Sequence, residues 1–178
     1  MQIRPGHVFW LFGLSGAGKT TLATALQQEL REKSGVAALM LDGDGLRQGL
    51  CQGLGFEAAD RTENLRRAAE VARLAVDSGL VVIAAFITPM AEQRAMVRRI
   101  VGAEHLSLVL VDAPLAVCQQ RDVKGLYRDA AAGKLKLMTG VASAFETAGD
   151  VALHLDTEHE TPVESEARLG EYARARLA

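Results

Sequence analysis

An α/β fold with a parallel sheet covered by helices on both faces is what this sequence predicts, and three observations predict it. Short continuous apolar runs recur along the chain, longer helical periods separate them, and a glycine-rich loop stands where the first run gives way to the first helical period. Continuous apolar runs suit strands buried on both faces, and regular strand–helix alternation makes a parallel sheet. Five strands are expected, over residues 8–12, 36–41, 80–86, 106–111 and 151–155.

The helices follow from spacing and end signals. After Gly18, the residues Leu22, Ala25, Leu26 and Leu30 recur at helical spacing. Asp60-Arg61-Thr62-Glu63 has capping-box spacing, with Asp in the Ser/Thr place, and Leu65, Ala69, Ala72 and Val76 follow it, so a helix is expected from Asp60. Thr88-Pro89 predicts another helix with proline at its first position, where the missing N–H costs nothing. Thr161-Pro162-Val163-Glu164 repeats that signal before a C-terminal helix. Pro114 to Cys118 reads as a helix after a strand, which puts Cys118 in the core.

The 178 residues suit a single domain over 1–178, long enough to bury roughly 70% of the surface of its unfolded chain. Composition (49% hydrophobic, 24% charged) excludes a disordered or collagenous chain. Net charge is −2, from 20 basic and 22 acidic residues, so the global basic field of a nucleic-acid binder is absent and no nucleic-acid partner is expected. Only five of the basic residues are lysines (Lys19, Lys33, Lys124, Lys134, Lys136), an arginine bias that suits bidentate contacts to oxyanions. Cys51 and Cys118 lie in no metal-like spacing and make no disulfide scaffold, so a reduced, cytoplasmic chain is expected. The apolar run near the N-terminus is too short for a signal peptide, and the longest apolar run, 80–87, is far below the roughly 18 residues of a membrane helix. The four histidines are scattered and suggest no metal site.

The strongest signal is Gly13-Leu14-Ser15-Gly16-Ala17-Gly18-Lys19-Thr20, which fits GxxxxGK[ST] at every required position between an expected strand and an expected helix. Glycines let backbone N–H groups turn inward around a polyphosphate, and the helix N-terminus adds unpaired donors and positive dipole. Lys19 is expected on the β and γ phosphates of ATP and the Thr20 hydroxyl on Mg²⁺, with Thr21 also against the nucleotide. The loop specifies a three-layer P-loop nucleoside-triphosphate-hydrolase-like fold. No Asn-Lys-x-Asp guanine signature occurs, so a small-molecule kinase leads over a GTPase.

The second strand runs into Asp42-Gly43-Asp44-Gly45-Leu46-Arg47. Ligands of open α/β sheets bind outside the carboxyl ends of the strands, so this cluster is expected to face the γ phosphate. A carboxylate there orients or deprotonates an attacking hydroxyl or supports Mg²⁺, and Arg47 suits an anionic acceptor; the plain alternative is a strand-end turn, where Asp and Gly are common.

With these residues in place, the chain closely resembles the adenylylsulfate kinase (APS kinase) family. The resemblance rests on the run 9–20, Leu41-Asp42-Gly43-Asp44, Leu46-Arg47-Gln48-Gly49-Leu50, Leu54-Gly55-Phe56, the run 60–67, Ala84-Ala85-Phe86-Ile87-Thr88-Pro89 and the run 121–127, in register from about Gly6 to Thr157. It implies transfer of the γ phosphoryl of ATP to the 3′-hydroxyl of adenosine 5′-phosphosulfate (APS), with Mg²⁺, in a homodimer. It implies Asp44 as the hydroxyl-orienting base, Asp42 supporting the Mg²⁺ shell, Arg47 and Arg61 on the phosphosulfate with Asn64 assisting, and Phe56 stacked on the acceptor adenine. Ile87, Thr88 and Pro89 would line the acceptor pocket; Arg121 would lie against the ATP adenine at the base of a lid over about 121–146, and Lys124 on that lid would meet the phosphates.

The sequence departs from the family on the acceptor side. Cys51 stands for the usual Asn, Gly53 for the usual Asp, Met138 for the aromatic that closes the adenine sandwich, and Ser143-Ala144-Phe145-Glu146 for Ser-Pro-Tyr-Glu. Methionine is apolar and polarizable and can cover a ring less rigidly. The donor side therefore reads as an ATP site, while three readings of the whole stay open: an APS kinase, a kinase of another nucleotide-anchored acceptor such as cytidine diphosphoramidate, and a nucleotide-binding module without chemistry.

Overall fold

The computed structural model describes residues 6–134, 139 and 144–178. Its strands and helices alternate as β1 (His7–Phe12), α1 (Lys19–Ser34), β2 (Ala38–Asp42), α2 (Gly43–Arg47), α3 (Ala58–Asp77), β3 (Val81–Phe86), α4 (Ala91–Val101), β4 (Leu106–Asp112), α5 (Leu115–Arg121), α6 (Leu126–Ala131), β5 (Leu153–Asp156) and α7 (Pro162–Leu177). The five strands form one parallel sheet in the order β2-β3-β1-β4-β5. The strand that carries the glycine loop is thus central, and both it and β3 are buried along their whole length.

Alternation along β1 splits the core into two layers. Trp10, Phe12, Val82, Ala84 and Phe86 pack with Leu65, Ala69, Ala72 and Val97, on the side of α3 and α4. Phe9, Leu11, Ile83 and Val109 pack with Leu22, Leu26, Leu30 and Leu169, on the side of α1 and α7. Side chains two residues apart on a strand share a face, so a strand with no polar position must be covered twice. Cys118 is fully buried in the second layer, as its apolar surroundings in sequence suggest.

Among the element starts that differ from the sequence expectation, four have a clear physical reason. Strand β2 begins at Ala38 because Gly35, at φ 62°, closes α1 and the Val36 amide is used on the Leu30 carbonyl (3.0 Å). Leu80 is likewise held back from β3, its amide donating to Ala75 O (2.9 Å). Helix α3 starts at Ala58 behind Glu57, so Asp60 lies inside the first turn, where its charge favours the helix N-terminus, and is not the cap. Helix α4 starts after Met90, and Pro89 stands outside it: Thr88 takes φ 43°, which a right-handed helix cannot include. The Ala91 amide is instead capped from a distance, by Glu146 Oε2 at 2.5 Å. Helix α7 begins as its sequence signals, with a capping box between Thr161 and Glu164. Among the described residues, no helix is long and apolar enough to cross a membrane.

Candidate active site

The glycine loop joins β1 to α1 at the carboxyl edge of the sheet, and its glycines are sterically required. A Cβ on Gly13 (φ 153°) would lie 2.1 Å from Val111 O, and one on Gly16 (φ 82°) 2.9 Å from Cys118 O. The loop's carbonyls from Leu14 to Ala17 are all engaged. Lys19 Nζ and the Ala17 amide donate to Leu14 O (2.7 and 3.2 Å), Tyr127 OH to Ser15 O (2.9 Å), Arg121 to Gly16 O (3.5 Å) and Thr157 Oγ1 to Ala17 O (2.9 Å). The first amides of α1 have no carbonyl a turn behind them, so the loop presents donors to an anion. Lys19 is nearly enclosed, and its burial lowers the ammonium pKa to about 8.

Asp42 and Asp44 differ from the strand-end turn considered above, because the chain turns there into the short helix α2. Asp42 caps it, Oδ1 accepting from the amides of Asp44 (3.0 Å) and Gly45 (3.4 Å). The other carboxylate oxygen accepts from Thr20 Oγ1 at 3.3 Å. Two hard oxygens at the foot of a phosphate cradle fit Mg²⁺, which takes few protein ligands and keeps several waters. Asp44 points its carboxylate at Lys124, and the two form an ion pair between α2 and the turn that follows α5. Both partners are exposed, so the pair is worth at most about 1 kcal/mol.

A cavity of about 460 Å³ continues from the loop past these carboxylates. Of the residues expected in the site, it gathers Ser15, Gly16, Gly18, Lys19, Thr20, Thr21, Asp42, Asp44, Arg47, Phe56, Arg61, Asn64, Ile87, Thr88, Pro89 and Lys124. Gly13 and Ala17 lie behind the loop surface rather than on the cavity wall. Arg121 is also outside the wall: it donates to Gly16 O and to the Thr157 carbonyl (2.5 Å), holding the loop from behind. Met138 falls outside the described residues. Cys51 and Gly53 do not reach the cavity. Cys51 is fully buried, and Gly53 is a turn residue at φ 90° with open space around it, so neither departure changes a residue of the cavity wall.

The acceptor end is built by long-range pairing. Arg47 lies over the Phe56 ring, 4.4 Å from its centroid, and its Nη1 donates to Leu54 O (3.1 Å) and Gly55 O (2.8 Å). It thereby fixes the loop that carries Phe56, whose ring stays more than half exposed. Arg61 donates to Phe56 O (2.7 Å) and to Thr139 Oγ1 (2.5 Å), and burial pulls its pKa down. Asn64 is buried, and its Nδ2 has no hydrogen-bond partner among the described residues. A buried amide donor without a partner costs about 1–3 kcal/mol and calls for a ligand that accepts from it.

Sequence reasoning gave no role to several wall residues. Tyr127 belongs to the run 121–127, yet only the fold shows its hydroxyl bracing Ser15. Asp122 accepts from the amides of Tyr127 and Arg128 (both 3.0 Å) and so starts α6. Thr139, Leu65, Val123 and Lys134 also line the cavity, and no local pattern distinguishes them.

A parallel sheet with a GxxxxGK[ST] cradle at its central strand, opening into a second cavity end lined by arginine and aromatic side chains, defines a P-loop kinase. Residues 5–156 match the adenylylsulphate kinase family model. An adenylyl-sulfate kinase of Klebsiella pneumoniae is 52% identical over 153 residues, 86% of this chain and 76% of that one. One from Escherichia coli is 51% identical over 160 residues, 88% and 79% of the two chains. The Mycobacterium tuberculosis APS kinase, solved with AMPPNP and APS, superposes with a TM-score of 0.89 at 38% identity, over 96% of this chain and 98% of that one. The chain belongs to the adenylylsulphate kinase family.

Proposed function

We propose that the protein transfers the γ phosphoryl group of ATP to the 3′-hydroxyl of APS, giving 3′-phosphoadenosine 5′-phosphosulfate and ADP. The observation that carries this reading is that one cavity joins the phosphate cradle to Arg47, Phe56, Arg61 and Asn64. The kinase relatives that span most of the chain support the same reaction.

In the reaction the 3′-oxygen attacks the γ phosphorus in line, and the bond from that phosphorus to the β,γ-bridging oxygen breaks. The bridging oxygen keeps the electron pair as ADP leaves. The hydroxyl proton passes to the Asp44 carboxylate, which α2 holds at the junction of the cavity's two ends. For that, Asp44 must exchange Lys124 for the acceptor hydroxyl, and the freed ammonium is then in place for the phosphates. Lys19 leaves Leu14 O for the β and γ phosphates, whose negative charge favours its protonated form. Thr20 and Asp42 would hold Mg²⁺, which neutralises phosphate charge when bound. Arg61 and the unused N–H groups of Arg47 take the phosphosulfate, Phe56 offers a face to the adenine, and Asn64 Nδ2 donates to the acceptor. The cavity floor at Ile87, Thr88 and Pro89 sets the ribose depth.

The reading extends to a single P-loop kinase domain over 1–178, a lid over about 121–146 that excludes water, a homodimer, and a reducing, cytoplasmic setting in keeping with two buried free thiols. The test is ADP release from Mg-ATP with APS, AMP, cytidine diphosphoramidate or no acceptor. Strong stimulation by APS alone is expected. Activity with cytidine diphosphoramidate and none with APS would replace APS as the acceptor. Asp44→Ala is expected to keep ATP affinity and lose about 10²–10⁴-fold in kcat; near-normal turnover would remove Asp44 from its role.

A further inference from the structure

The wall turn 87–89 is held in a conformation that its own residues do not explain. Thr88 is buried and β-branched, yet its backbone sits at φ 43°, a conformation that threonine adopts only when its surroundings impose it. Two side chains impose it here. Trp10, on the central strand, donates from Nε1 to Thr88 Oγ1 at 2.9 Å, and its ring is fixed by stacking on Phe86 at 4.9 Å. Arg94, on α4, is buried with its guanidinium 5.3 Å from the centre of the Phe12 ring. One edge of its fork donates to Thr88 O (3.2 Å) and Pro89 O (2.9 Å), the other to Glu146 O and Thr147 O (both 3.2 Å).

The carbonyls of the turn are therefore fully accounted for. Ile87 O accepts from the Gly13 amide of the phosphate loop (3.2 Å), Thr88 O from Arg94, and Pro89 O from Arg94 and from the Glu146 amide (2.9 Å). One turn is thus hydrogen-bonded to the donor cradle on one side and to residues 146–147, where the expected lid ends, on the other. A planar fork can bridge two pairs of carbonyls at once; an ammonium on a flexible stem cannot hold that geometry.

We propose that Arg94 and Trp10 are positioning residues for the acceptor: they hold Thr88 in its left-handed conformation and lock the acceptor wall to the end of the lid. Neither lines the cavity, so both act through the turn. The proposal rests on the reading of this cavity as an APS kinase site. A loosened wall misplaces the ribose without touching ATP, and small misplacements of a reacting group are costly.

The experiment compares Trp10→Phe, Thr88→Val, the double variant of these two, Arg94→Lys and Arg94→Met. Readouts are the melting temperature, the KM for ATP, KM and kcat for APS, and amide hydrogen exchange of peptides covering 86–90 and 144–148 in the free protein. Trp10→Phe keeps an aromatic ring on Phe86 and removes only the donor, so it serves if Arg94→Met fails to fold. Expected are an APS KM raised about tenfold with ATP KM unchanged, faster exchange at 86–90, and no rescue of the fork by lysine. In the double variant the two losses should not add, since both remove one hydrogen bond. Unchanged exchange at 86–90 would overturn the proposal whatever the acceptor proves to be. Equal loss in both substrates' parameters, tracking the melting temperature, would also overturn it in favour of a structural role. Full rescue by Arg94→Lys would overturn the bridging fork. Wild-type protein inert with APS would instead fail the functional reading, and the exchange arm would still decide the anchoring.

Discussion

Lys19 and Asn64 are two buried polar side chains whose partners in the free protein are incomplete or provisional. Among the described residues Lys19 has only a carbonyl to hold, and burial brings its pKa down to about 8. Above that pH the free protein carries it neutral, while bound phosphates favour the charged form. ATP binding at pH 9 should therefore take up a proton, and binding at pH 6.5 should not. Calorimetry in two buffers of different ionisation enthalpy measures the difference; equal apparent enthalpies at pH 9 would contradict it. Asn64 poses the complementary case, with Nδ2 unpartnered among the described residues. Replacing an unsatisfied buried amide by an apolar group of similar size is neutral or stabilising. Asn64→Leu should raise or preserve the melting temperature while raising the APS KM, and a lower melting temperature with unchanged KM would refute it.

At the scale of elements, the C-terminal helix offers the cleanest prediction. Thr161 and Glu164 cap α7 reciprocally, the Glu164 carboxylate accepting from the Thr161 amide at 2.8 Å, which holds its pKa below the usual range. Thr161→Ala should cost about 1 kcal/mol in a denaturant titration and leave both KM values alone. This helix was legible because its signal is local: four adjacent residues state the cap. The glycine loop was legible for the same reason. Helix α4 was misread because its start depends on Glu146, 55 residues away, and on the backbone of Thr88. The links from Arg61 to Thr139 and from Arg94 to residues 146–147 are equally invisible to spacing. Cys51 and Gly53 were placed near the acceptor by resemblance alone, and burial in one case and turn geometry in the other take them away from it.

Across the whole molecule, the two ends of the sheet do different work. The carboxyl end holds the site. At the other end His7, Ser107 and Tyr172 form a chain of hydrogen bonds, 2.8 Å at each step, that ties β1 to β4 and α7. Burial, helped by Arg176, lowers the His7 pKa to about 4 from an ordinary 6.5. The unfolded chain thus takes up a proton as pH falls below 6.5, and the folded chain resists until about 4. Stability should be full above that window, fall as pH drops through it, and level off beneath it. Urea midpoints between pH 7 and 4 test this, and His7→Gln should flatten the part of the slope that His7 supplies. A slope unchanged by that substitution would assign the acid sensitivity to other groups.

The glycine loop's carbonyls, each already engaged from Leu14 to Ala17, carry a consequence for how a nucleotide is met. No peptide plane in that stretch can flip without breaking a bond already made. The cradle is therefore preorganised: it is a receptor before there is anything to receive. A polyphosphate arriving there orders little backbone, so the entropy of association is spent mainly on the ligand, and even a bare pyrophosphate should find its donors already aligned.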